Sequence, residues 1–102
     1  MTANVAKCLL VSKLIVADGM VTDDERAFLD ALMQQLGLSE AERRRVVALE
    51  GMAEAETTVR GLPTEERRAF VDLLVDAASA DGHLSPHEMK LVKRMSSALG
   101  LE

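Results

Sequence analysis

Apolar positions recur along this chain at helical spacing and nowhere alternate with polar ones over the length of a strand, which predicts an all-α protein. Phe28, Leu29, Leu32 and Leu36 share one helix face, and Met89, Leu91, Val92, Met95 and Leu99 share another. Two segments differ. Val5 to Val16 and Ala69 to Ala78 are apolar on nearly every side, relieved by Lys7, Ser12 and Lys13 in the first and by Asp72 and Asp76 in the second. Helices of that kind belong in the middle of a bundle, with amphipathic helices packed around them. Start and stop signals place helices at about 3–17, 23–36, 39–50, 64–79 and 86–99. Residues 51–63, between Gly51 and Gly61, are left with room for one short helical turn. The expected architecture is a compact single-domain bundle of about five main helices.

Several of those starts are capping boxes. Thr22 with Glu25 and Ser39 with Glu42 each combine a hydroxyl that accepts an N3 amide with a carboxylate that reaches back to the cap amide. Ser85 and Glu88 repeat the pattern, with Pro86 at the first helical position, where its missing N–H costs nothing. Thr64 follows Pro63 and starts another helix, with Glu65 and Glu66 near its positive end.

The chain also matches itself at an offset of 63 residues. Ala17-Asp18-Gly19 and Glu25 correspond to Ala80-Asp81-Gly82 and Glu88, and Leu36-Gly37-Leu38 corresponds to Leu99-Gly100-Leu101. Each copy, 5–38 and 68–101, is expected to form a helix, an A-D-G corner and a second helix. At the corners, Gly19 and Gly82 are expected to supply left-handed backbone.

Composition narrows the functional classes. With 102 residues there is room for one domain, 1–102, and the 48% of apolar residues suffice for a core. A net charge of −5 argues against a nucleic-acid binder, which needs a clustered basic surface. The run Arg43-Arg44-Arg45 is offset by Glu40, Glu42 and Glu50, and Arg67-Arg68 by Glu65 and Glu66, so both are expected to be solvated faces. Cys8, the one cysteine, sits in an apolar run and is expected to be an inert buried thiol in a reducing compartment. With aromatics at only 2%, the six methionines are expected to fill core space. The apolar stretch Cys8 to Ala17 is interrupted by Lys13 and falls short of the roughly 20 residues that span a bilayer. No cleavage pattern follows it, so a cytoplasmic protein with no direct membrane insertion is expected. No nucleophile elbow, phosphate loop or thiolate–histidine pair is present, which makes a non-enzymatic role the expectation.

The acidic corners have two readings. Set against a calcium loop, Gly19 falls on the invariant glycine and Glu25 on the closing bidentate position, and Gly82 and Glu88 do the same in the second copy. The opening ligand positions hold Leu14 and Val16, or Ala77 and Ser79, which leaves too few oxygens for a tight calcium site. A weakly held divalent cation on Asp18, Glu25, Asp81 and Glu88 is the remaining metal expectation, helped by Asp23 and Asp24 nearby. His83 and His87 beside Asp81 and Glu88 form a less favoured zinc or nickel set, because Pro86 separates the two rings. The competing reading gives every one of these residues a role in folding. Asp18 accepts corner amides, Glu25 closes a capping box, and the glycines turn the chain.

Ala17-Asp18-Gly19…Glu25 and Ala80-Asp81-Gly82…Glu88, each at the end of an apolar helix, resemble the tellurite-resistance TerB-like superfamily. That superfamily also includes the N-terminal domain of a membrane-anchored DnaJ-like co-chaperone. The resemblance runs over most of the chain. It implies an all-helical fold, an association with stress-response operons, an acidic metal-binding surface and no known reaction. These residues contain neither a J-domain nor a membrane anchor, so a direct co-chaperone role is not expected. A protein partner or self-association in a stress response is the expected function, with no resident cofactor. The cation-binding domain is the alternative.

Overall fold

A computed structural model of the chain describes residues 1–17, 21–80, 82 and 86–100. Among them are six helices and no strand: α1 (Ala3–Val16), α2 (Asp23–Gln35), α3 (Glu40–Val47), α4 (Met52–Arg60), α5 (Thr64–Ala78) and α6 (Pro86–Ala98). The all-α bundle expected from the spacing is what forms, and its radius of gyration of 12.4 Å suits one compact domain of this length.

α1 is the axis of the molecule. The Thr2 hydroxyl accepts the Val5 amide at 3.2 Å and starts it, and it packs against all five other helices. Val5, Ala6, Cys8, Leu9, Leu10, Val11, Leu14 and Ile15 are all buried, which is why this segment has no consistent polar face. α5 was expected to share that central place and does so on one side only. Phe70, Leu74, Ala77 and Ala78 are buried, whereas Val71, Leu73 and Val75 are half-buried and Ala69 is exposed.

The segment expected to hold one short turn is instead the nine-residue helix α4. Its start gives no side-chain signal because no side chain caps it: its N-cap is Gly51, in left-handed backbone at φ 86°. Leu49 just before is also left-handed, at φ 57°. Together these two residues turn the chain from α3 into α4. The Leu49 amide donates to Val46 O at 3.1 Å and the Glu50 amide to Arg45 O at 3.0 Å, the paired bonds of a Schellman end. α4 then lays Ala55 and Val59, both fully buried, against α1, its most extensive neighbour.

Two arginines hold the far end of α6, whose last turn carries no basic residue of its own. Arg60, at the end of α4, donates through Nε to Ala98 O at 2.9 Å. Arg67, in α5, donates through Nη1 to Gly100 O at 3.4 Å and through Nη2 to Thr64 Oγ1 at 3.3 Å. In place of the solvated face expected for it, Arg67 is half-buried and its guanidinium contacts the negative end of a distant helix. Replacing Arg60 by methionine, which keeps the apolar stem, is expected to lower stability by about 1 kcal/mol. Arg60→Lys is expected to recover little of that loss, since an ammonium does not reproduce the guanidinium fork. Urea denaturation of the three proteins measures both effects.

Candidate functional site

Glu25 is 7% exposed at the start of α2, although it is a carboxylate. Its Oε1 accepts the Thr22 amide at 3.1 Å and the Thr22 hydroxyl at 3.0 Å, and the Glu25 amide donates to Thr22 Oγ1 at 3.1 Å. The expected capping box is complete, and the box at Ser39 and Glu42 closes in the same way. Gly82 has φ 86°, the left-handed backbone expected of the second corner. Glu88 is half-buried at the start of α6 and is engaged by a partner, while His87 beside it is exposed.

Asp18, Asp81 and His83 lie outside the described residues, as do Gly19 and Ser85. Among the described residues no three His, Cys, Asp or Glu side chains come together as a metal-holding group. Glu25→Gln keeps an oxygen for the Thr22 amide and is expected to unfold within about 0.5 kcal/mol of wild type, whereas Glu25→Ala loses about 1 kcal/mol. The same pair tests the cation expectation. A melting temperature that rises with calcium, magnesium or zinc in wild type but not in Glu25→Gln would assign Glu25 a ligand's role.

A concavity that the sequence did not reveal lies between α1, α4 and α6. It is a groove of about 290 Å³ floored by Leu10, Leu14, Leu91, Met95 and Leu99. One wall carries a line of charge: Lys13 Nζ lies 3.1 Å from Glu56 Oε1, and Glu56 Oε2 lies 3.9 Å from Arg60 Nη2. Arg94 stands at the rim on α6. α6 explains why the groove is open. Along α6 and the residue after it only Val92 and Leu99 of the apolar stripe are buried, while Met89, Leu91 and Met95 remain half-buried. The sequence signal was therefore a stripe wider than the buried face. It could not show that α1 and α6, far apart in the chain, flank one cleft. Of the methionines expected to fill the core, Met33 does, while Met95 floors this groove instead.

α6 is also basic on an acidic chain. Lys90, Lys93 and Arg94 are exposed, and among the described residues none of the three enters an ion pair. Cys8, in contrast, faces away from any chemistry. It is fully buried, and burial pushes its thiol up from 9.0 to about 11, against a smaller opposing effect of the Lys7 charge. No described helix is long and apolar enough to cross a membrane.

The family model described as Tellurite resistance protein TerB matches residues 4–102. No curated protein and no solved structure matches.

Proposed function

Because the chain belongs to the TerB tellurite-resistance family, we propose that it is a non-catalytic interaction module of a cytoplasmic stress response, docking a partner's helix in the groove between α1, α4 and α6. The observation that carries this reading is the groove: apolar on its floor, with the Lys13–Glu56 ion pair and Arg94 at its edges. Its walls run from Leu10 on α1 to Ala17 just past its end, and from Leu91 on α6 to Leu99 just past its end. At 1.5 Å of rise per residue each wall is roughly 10–12 Å long, about two helical turns. That length accepts apolar side chains at i, i+3 or i+4, and i+7 of an amphipathic helix.

Charge selects the partner further. Arg94 on the α6 side of the groove is in no ion pair among the described residues, so the docked helix carries an acidic residue beside its apolar stripe. The inert setting of Cys8 supports a role without covalent catalysis.

Affinity capture from the source cells tests the reading, with wild type, Met95→Glu and Arg94→Glu used side by side. A partner retained by wild type through an acidic amphipathic segment, and lost by both variants while their circular dichroism is unchanged, supports it. Capture indifferent to both substitutions, or turnover of a substrate by the purified chain, overturns it.

A further inference from the structure

On a different face, the large apolar side chains left exposed converge. Among the described residues these are Val47, 63% exposed at the end of α3, and Val21, 43% exposed just before α2. Both line one hollow of about 160 Å³, whose floor is Ile15, Val16 and Leu29 and whose rim carries Arg26 and Asp30. Val47 also borders a second, shallower depression that Met33 and Arg43 help to line. It is therefore a ridge standing beside an apolar hole.

We infer that this α2–α3 face joins two copies of the chain in a twofold dimer, an assembly separate from the partner-docking groove. Two features point to a second copy as the occupant. Arg26 and Asp30 stand one helical turn apart, and among the described residues neither is in an ion pair. A purely acidic or purely basic partner would answer one of them and repel the other. Two α2 helices laid antiparallel about a twofold axis bring Arg26 of each copy to Asp30 of the other, so both charges are matched. The same operation offers each Val47 to the hollow of the opposite copy, so knob and hole are matched too. A surface complementary to itself in charge and in shape is the signature of an isologous contact.

Size sets the strength. A face covering about a tenth of the 5899 Å² surface from each copy buries roughly 1,200 Å² in total, at the low end for specific interfaces. The dimer is therefore expected to dissociate in the micromolar range rather than to be permanent.

Sedimentation equilibrium of the purified full chain, with concentration varied across the micromolar range, tests it. Wild type is expected to show a reversible monomer–dimer equilibrium. Val47→Glu, at a position already open to water, is expected to keep its helicity and remain monomeric. Arg26→Asp and Asp30→Arg are each expected to weaken dimerisation about tenfold or more, because each sets like charges face to face. The double reversal Arg26→Asp with Asp30→Arg restores opposite charges across the axis and is expected to return the dissociation constant to within about threefold of wild type. A wild type that stays monomeric into the millimolar range overturns the inference. So does a dimer indifferent to Val47→Glu, or one that the double reversal leaves as weak as the single changes. Arg94→Glu, which alters only the groove, is expected to leave the dimer unchanged, so failure of partner docking and failure of dimerisation are read separately.

Discussion

Thr57→Pro is expected to cost at least about 3 kcal/mol of stability, although Thr57 is exposed and touches nothing in the core. Thr57 lies in the middle of α4, where its hydroxyl donates to Ala53 O at 3.1 Å. A proline ring there collides with that same carbonyl and removes the amide that the helix needs. The damage spreads because α4 presses Ala55 and Val59 into α1. Thr57→Ala is the control. It removes only the hydroxyl, improves helix propensity, and is expected to be neutral or to gain a few tenths of a kcal/mol. Urea unfolding of the three proteins separates a helix from an irregular linker. A proline variant within about 1 kcal/mol of wild type would mean that 52–60 tolerates a break and that the groove has no fixed α4 wall.

The same helix marks the limit of what the amino-acid order discloses. Helices that begin with a hydroxyl and a glutamate three residues on, at Thr22 and Ser39, are legible because the cap is a local device written in side chains. α4 begins on a left-handed glycine after a left-handed leucine. Gly51 reads as a stop signal and Leu49 as ordinary helix, so the start was hidden. Long-range partners were hidden for a related reason. Arg67 lies next to Glu66 in sequence and Arg60 four residues after Glu56, yet both guanidiniums also reach the end of α6, 33 to 38 residues away.

The candidate site divides in the same way. The corner carboxylate Glu25 could be placed from its spacing to Thr22, because both belong to one turn of helix. The groove could not. Its floor is drawn from two helices at opposite ends of the chain, and each supplies only what looks like ordinary core residues. The local excess of half-buried Leu91 and Met95 on α6 becomes meaningful only once α1 and α4 are set opposite. Family membership rests on a match over residues 4–102. Partner choice depends on surfaces assembled from several elements, and so is argued from the groove and the α2–α3 face.

Cys8 is expected to make stability fall with pH across the range from 9.0 to about 11, by about 2–3 kcal/mol in all. The direction follows from proton counting. Burial among apolar neighbours disfavours the thiolate, so the folded protein keeps the proton up to about 11, whereas the unfolded chain releases it near 9.0. Below 9.0 both states hold the proton and the stabilising effect is fully present. Between the two values the unfolded state gains by ionising, and above the higher one both are ionised and the effect is gone. Lysines also titrate in this window, so the measurement is a difference. Cys8→Ala is expected to be about 1 kcal/mol less stable near neutral pH, because it leaves a small cavity. Its stability lacks the thiol's contribution to the pH dependence, so the gap between the two proteins is expected to close and then reverse as the solution becomes alkaline. Parallel curves would put the thiol in water and open α1 to solvent. The same buried proton sets the reactivity: a pKa raised from 9.0 to about 11 leaves about a hundredfold less thiolate, and alkylation of folded protein is expected to be slower than that of unfolded chain by at least that factor. A cysteine built for catalysis would show the opposite shift.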